Sequence, residues 1–404
     1  MDWQALLDND IQTFICEHEN ADVKTLALKK PPNANWPYAL ILDQIKSRQK
    51  AKTKLPTWFE TQSIIFPKPD TLEQASSEAC ANYKASLFKG NACVDLTGGT
   101  GIDSWAMLKN FKTADIVDYD QTTSKLIEHN LNQLTPKRFN ANTIDAETFI
   151  KTMPQFDLAM IDPQRRNQNR KGIIKLEDCT PNILECISNI KAKHILLKTS
   201  PMLDINQAID QLEYVQSVHI VEWDSECKEL LFIIKPNKKT NNIPITAAKI
   251  NNSGQTLNTI TFNREDELTL DTKITPPQSY LYEPSPAFMK AGCHKTIAKN
   301  SRTQKIHINT NLHTSTHYSP NFPGRVFKII NTYKPQAKAI PFKKANLSVR
   351  NFPLETHELK KKLKLKDGGD DYLFACTTVD PKTNQEIKTL IHCRKSDNRN
   401  NHSK

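Results

Sequence analysis

Two stretches of this 404-residue sequence hold residue types at spacings suited to chemistry. In CVDLTGGTGIDSWAML, from Cys93, an apolar run ends on Asp95, Thr97 follows, then Gly98, Gly99 and Gly101, and a helical pattern containing Asp103 begins. Glycine is scarce, with 10 in the chain, so three within four positions mark local backbone freedom that lets main chain approach a ligand at a helix N-terminus. A phosphate-binding dinucleotide loop is the obvious rival. The third glycine is missing, however, and Asp95 and Asp103 would repel a pyrophosphate. The same carboxylates stabilise a ligand that carries an ammonium and a sulfonium.

S-adenosylmethionine is such a ligand, and the sequence holds further residues for it. An acid ending the second strand accepts both ribose hydroxyls in sheets of this kind, and Asp118 in ADIVDYD stands there, with Asp120 as a weaker neighbour. Asp145 in ANTIDAETF is placed to take the adenine amino group, with the Ala146 amide on a ring nitrogen.

The second stretch, FDLAMIDPQRRNQNRKG, is an apolar strand that stops at Asp162 and Pro163 and releases Arg165 and Arg166, then Arg170 and Lys171. Two readings stay open. Guanidinium forks suit phosphates and stacked bases, which favours contact with substrate at the ligand-facing strand end. Alternatively, Arg165 and Arg166 pair with Glu177 and Asp178 and hold the loop. Lys198, Ser200 and Pro201 end the next strand and should face the same crevice. Ser76, Glu78 and Lys84 either line the cofactor entrance or are exposed helical polar residues. Glu226 and Lys228 read as a solvated pair in a hairpin turn.

The elements that position these residues follow from periodicity. Residues 1–88 place apolar side chains three and four apart, the pattern of a helical N-terminal domain. From 89 to 240, strand-like runs alternate with helical ones, and the last two, SVHIVEW and ELLFIIK, are too close for a parallel crossover. The expectation is an α/β fold: a Rossmann-like core with a mostly parallel seven-stranded sheet ending in an antiparallel hairpin. A β-rich connector over 241–278, a small α/β segment over 279–330, a basic α+β module over 331–395 and a disordered tail over 396–404 complete the reading.

The run from Cys93 to Asp162 resembles a class I S-adenosylmethionine-dependent methyltransferase, through DLTGGTG, IVDYD and IDP in order. The wider text, with QASSEACANYK, IDPQRR, LEDCTPN, KTSPMLD, ECKELLF, YLYEPSPAFMKAG, NFPGRVF, ANLSVRNFP and LKLKDGGDDYLF, is similar to an uncharacterised branch with a C-terminal THUMP-like domain. The resemblance implies methyl transfer to RNA. In many amino-directed enzymes of that fold the fourth strand ends in Asn or Asp, Pro, Pro and an aromatic residue. Asp162 and Pro163 match, so Asp162 is implied to orient or deprotonate the acceptor, whereas Gln164, Arg165 and Arg166 depart from the pattern. A catalytically silent RNA-binding protein and a nucleotide-dependent oxidoreductase are the rivals.

Charge agrees with an RNA partner: Lys and Arg exceed Asp and Glu by 55 to 44, a formal +11. Lys343, Lys344 and Arg350 are candidate backbone contacts, beside a helix on which Lys360, Lys361 and Lys364 share a face opposite Leu359 and Leu363. Nine cysteines without a CxxC pair read as reduced thiols of a cytoplasmic protein, with Cys179 and Cys186 as packing residues. His307, His313 and His317 lack a zinc-ligand context, and no metal is expected. No signal peptide and no membrane span are read.

Overall fold

Near-continuous apolar runs need cover on both faces, and between Gly90 and Ile234 they fold as strands interleaved with helices. The computed structural model describes residues 3–135, 138–165 and 175–396. Arg166, Arg170 and Lys171 lie outside the described residues, as do the side chain of Arg165 and the tail from 397 onward. The chain divides into two units. The first is Met1–Asp224 with Lys228–Ile243 and Lys249–Leu257, and the second is Ser225–Cys227 with Pro244–Ala248 and Asn258–Lys404.

Unit 1 begins with helices α1 (Asn9–Glu17), α2 (Val23–Ala27), α3 (Tyr38–Lys54), α4 (Pro56–Glu60), α5 (Pro69–Gln74) and α6 (Glu78–Ser86). Asp8, Asp22 and Ser77 cap α1, α2 and α6 by accepting main-chain amides. Leu6, Ile11, Ile15, Leu26, Ile41, Ile45 and Ile65 form their shared apolar core.

The sheet of unit 1 then follows: β1 (Gly90–Asp95), α7 (Ile102–Met107), β2 (Phe111–Asp118), α8 (Gln121–Leu134), β3 (Phe139–Thr143), α9 (Ala146–Thr152) and β4 (Phe156–Ile161). A small ribbon, β5 (Gln164–Arg165) with β6 (Cys179–Thr180), precedes α10 (Ile183–Cys186), β7 (Ala192–Thr199), α11 (Ile205–Gln211), β8 (Val215–Trp223) and β9 (Glu226–Ile234). These strands lie in the order β8-β9-β7-β4-β1-β2-β3 within a nine-stranded sheet, two strands more than the seven expected. The pairs β1/β2, β1/β4, β2/β3 and β4/β7 are parallel and β7/β9 is antiparallel. This is the α/β core with its antiparallel hairpin. The hairpin differs from expectation in two respects. It does not end the sheet, because two later strands continue it past β8. Its turn is Asp224 and Ser225, with φ of 51° and 61°, so Glu226 and Lys228 are strand residues.

One amide, Asn130, keys the helical part to α8, and a second, Gln44 of α3, holds the same extended segment from within. Asn130 accepts from Ile65 N at 2.9 Å and donates to Ile65 O at 2.8 Å, and Gln44 accepts from Phe66 N at 3.0 Å. Extended main chain thereby keeps its hydrogen bonds while buried.

The boundary between units runs through β10 (Pro244–Ile250) and β11 (Thr256–Asn263), and the segment expected to be β-rich continues as a helix, α12 (Arg264–Thr269). Unit 2 contains β12 (Tyr280–Pro284), α13 (Pro286–Ala291), α14 (His294–Ser301), β13 (Gln304–His307), β14 (Thr310–Ser315), β15 (Gly324–Tyr333), β16 (Asn346–Arg350), α15 (Thr356–Leu363), β17 (Asp371–Val379) and β18 (Glu386–Lys395). Its seven strands run β13-β14-β12-β15-β18-β17-β16. Alternation along β17 sends Phe374 and Cys376 into one apolar cluster and Leu373 and Ala375 into another, so both faces are packed at the β16–β18 end of this sheet. No helix among the described residues is long and apolar enough to cross a membrane.

Candidate functional site

The turn after β1 is built on glycine for steric reasons. Gly98 N donates to Val117 O at 2.7 Å, and a Cβ on Gly98 would come within 2.7 Å of Ile116 Cγ2. Gly99 and Gly101 sit at φ of 53° and 78°, a region that favours glycine. Asp95 holds the turn from beneath, accepting from Thr97 N at 3.1 Å and Ser104 Oγ at 2.6 Å. It is 4% exposed. Burial pushes its carboxyl up to about 7, opposed by the Ser104 and Thr97 hydrogen bonds and reinforced by the charges of Asp103 and Asp162.

Beside this turn opens a cleft of about 370 Å³ lined by Thr97, Gly99, Asp118, Tyr119, Asp145, Ala146 and Asp162, among others. Asp118 Oδ2 accepts from Gly99 N and Oδ1 from Asp120 N, each at 2.9 Å. Each oxygen keeps a further lone pair, which suits a vicinal diol. Asp145 caps α9, accepting from Thr148 N at 2.8 Å, and that hydrogen bond first of all lowers its carboxyl below the usual range. Only Thr97 O, at 3.6 Å, would lie near a Cβ on Gly99, so the space beside the turn stays open to a ligand. Asp95 and Asp103 do not line this cleft; the structure partners them inside the protein.

Asp103 belongs to a buried charge network. Lys84, 0% exposed, donates to both oxygens of Glu229 at 2.8 and 2.7 Å and to Ser76 Oγ at 3.1 Å, and it pairs with Asp103 at 3.1 Å. Burial disfavours the Lys84 ammonium, but Asp103 and Glu229 outweigh it, and its pKa rises. Neither open sequence reading fits Lys84: it is not exposed and does not line the cleft. Glu78 is likewise buried, accepting from Thr57 N at 2.9 Å and Thr57 Oγ1 at 2.6 Å.

Asp162 stands at a junction. Its main-chain N donates to Thr97 Oγ1 at 2.7 Å, tying the end of β4 to the glycine turn. Its carboxylate forms an ion pair with Lys198, whose ammonium is stabilised against burial by Asp162, Asp103 and Glu229. Asp162 also lines a second cleft of about 370 Å³, with Pro163, Gln164, Lys198, Thr199, Ser200 and Pro201 on its wall. Arg165 pairs through β5 with Cys179, while Glu177 accepts from Gln211 Nε2 at 2.8 Å. Sequence reasoning missed Tyr119, 81% exposed in the first cleft, and Thr199 in the second. The available signals were an aromatic directly after a strand-end acid and a hydroxyl at the end of β7.

In unit 2, Arg350 is held by Glu283, donating to Oε1 at 2.6 Å, and Arg325 donates to Oε2 at 2.8 Å. That buried carboxylate gives Arg350 a structural partner. Lys343 and Lys344 are exposed, and the Lys344 stem lies over Gly368 and Gly369. Lys360 pairs with Asp367, and Lys364 is not on the helix face as expected but is the left-handed residue past the end of α15, at φ 55°. The histidine-rich segment is the hairpin β13/β14, where His307 pairs with Glu386 at 2.7 Å.

Sheet order, glycine turn and strand-end acids define a class I methyltransferase fold. Residues 280–323 match a ferredoxin-like domain family and residues 324–395 a THUMP domain-like family, so this fold is joined here to a THUMP-like C-terminal domain. A crystal structure of a "putative methyltransferase" from Porphyromonas gingivalis W83 is similar over 98% of this chain and 99% of that chain, at 28% identity and a TM-score of 0.83. A tRNA m1G37 methyltransferase from M. jannaschii overlaps 44% of this chain and 52% of its own, at 16% identity and a TM-score of 0.29. A "putative RNA methyltransferase" from Pyrococcus horikoshii overlaps 47% of this chain and 98% of its own, at 13% identity and a TM-score of 0.31. Likeness at these two levels carries nothing about activity. No curated protein matches the sequence.

Proposed function

We propose that this protein transfers the methyl group of S-adenosylmethionine to a nucleotide of RNA. The observation that supports it best is the position of Asp162, whose carboxylate borders both clefts. On one side, Asp118 would hold the ribose hydroxyls, Gly99 would leave room for the main chain of the turn to approach, and Asp145 with Ala146 would take the adenine. When bound, the donor supplies an electrophilic methyl and a neutral thioether leaving group.

The chain's own residues would do the rest. Lys198 occupies Asp162 Oδ2, which leaves Oδ1 to accept a hydrogen bond from an acceptor N–H and keep its lone pair aimed at the methyl group. The proton released on bond formation passes to Asp162 or to water. A formal charge of +11 and the THUMP-like match support RNA as the acceptor.

The test is incubation of the protein with labelled donor and total RNA, followed by mapping of the modified nucleoside. Label in one nucleoside supports the reading. Binding of NAD in calorimetry with no response to S-adenosylmethionine overturns it.

A further inference from the structure

The second cleft has no role in donor binding, yet it carries two features that point to a ligand. Thr199, at the end of β7, is 7% exposed, lines the cleft, and its Oγ1 has no hydrogen-bond partner among the described residues. A buried hydroxyl left unsatisfied is costly, so this one is matched to something that enters. The second feature is charge. Lys198 and Lys228 both line the cleft, and Lys54 stands close enough to feel them: its pKa falls to about 8, first through burial and then through the charges of Lys228 and Lys198. Lys54 Nζ itself is anchored on Leu72 O at 2.8 Å and Glu73 O at 2.7 Å, at the end of the helix that leads to Gln74 on the cleft wall.

Apolar surface completes the lining. Pro163, Leu176, Pro201 and Leu203 offer faces for a flat ring, and the Gln74 and Gln164 amides supply both donors and acceptors. The lining carries two ammonium groups, Lys198 and Lys228, against one carboxylate, Asp162, which disfavours a peptide lysine or arginine. A nucleotide brings a ring for the apolar faces, edge atoms for the hydroxyl and amides, and a phosphate for the cations.

We propose that this cleft is the acceptor subsite for a single nucleotide swung out of its strand, its base read by Thr199 and Gln164 and its phosphate held on the Lys228 side. A base still stacked in a helix does not reach a hydroxyl at this depth, so extrusion or a single-stranded target is required. The assignment rests on the methyl-transfer reading above for its biological sense, but its binding test does not.

The experiment is ligand-observed NMR on the full chain with S-adenosylhomocysteine and each of the four ribonucleoside 5′-monophosphates at millimolar levels. At least one nucleotide is expected to bind. Thr199→Val should weaken it about fivefold, the loss of one neutral hydrogen bond. Because Thr199 Oγ1 has no hydrogen-bond partner among the described residues, melting temperature should not fall and S-adenosylhomocysteine affinity should stay at the wild-type value. Lys228→Gln should flatten the dependence of nucleotide affinity on salt. Absence of nucleotide binding, or wild-type nucleotide affinity in Thr199→Val, overturns the assignment, as does labelled donor marking protein in place of RNA. If nucleotides bind with the expected variant effects while no RNA pool takes label, the cleft assignment stands and the methyl-transfer reading falls.

Discussion

Lys198 and Asp162 stand at the ends of the neighbouring parallel strands β7 and β4 and form an ion pair on the wall of the second cleft. The pairing engages Oδ2 of Asp162, so the lysine fixes which lone pairs the carboxylate can offer to a ligand.

Asp162→Ala should therefore abolish transfer while the Asp118, Asp145 and Gly99 side of the donor cleft stays in place. Single-turnover incorporation of label is expected to fall at least ~100-fold, the scale of a lost acid-base group. S-adenosylhomocysteine affinity, read by calorimetry, should stay close to wild type. A variant that keeps its rate would remove Asp162 from the mechanism.

Lys84→Met should destabilise the fold and not merely slow the reaction. It leaves Glu229 and Asp103 buried without their cation, an effect of about 3–5 kcal/mol when one partner of a buried pair is removed. The double variant Lys84→Met with Glu229→Leu should regain part of that loss. Urea unfolding midpoints of the three proteins check the ordering.

Asp95 gives a pH dependence with a definite sign. Its carboxyl is raised from 3.8 to about 7 by burial, so between those values the native state binds a proton that the unfolded chain has lost. Stability from this group is then fully present below 3.8 and declines as pH rises toward 7. Asp95→Asn should flatten that decline. Denaturation midpoints across this window, wild type against variant, measure it.

His294 and His313 act in the opposite sense. Burial lowers both, His294 to about 4 from 6.5, so the native state loses stability as pH falls from 6.5 toward 4. The rings lie 5.8 Å apart, and His313 Nε2 and His294 Nδ1 have no hydrogen-bond partner among the described residues, so neither ring has a carboxylate to stabilise its charge. Melting followed by the fluorescence or hydrogen exchange of unit 2 should show acid sensitivity that His294→Asn relieves.

The local features were legible because each depends on neighbours in sequence. Alternation of strands and helices, the glycine turn and the acid that ends β2 are short-range patterns, and the mostly parallel seven-stranded run they imply is present, though β10 and β11 extend the sheet to nine strands. Pairings across the sheet were not legible. Lys84 meets Glu229 across 145 positions, Lys198 meets Asp162 across 36, and Arg350 meets Glu283 across 67. In sequence each reads as a solitary charge on a polar segment, because which strands become neighbours is decided by the whole sheet. Asp95 and Asp103 illustrate the cost. Their charge suggested contact with a cationic donor, yet their oxygens are engaged by Thr97, Ser104, Ser76 and Lys84, and Asp118 is the acid that borders the cleft.

The alternation along β17 has a last consequence. With Phe374 and Cys376 packed on one side and Leu373 and Ala375 on the other, the stretch of sheet around β17 presents no bare aromatic platform on which bases could lie. A polyanion meeting unit 2 at that end would find exposed lysines such as Lys343 and Lys344. A grip of that kind would release counterions and discriminate poorly among sequences.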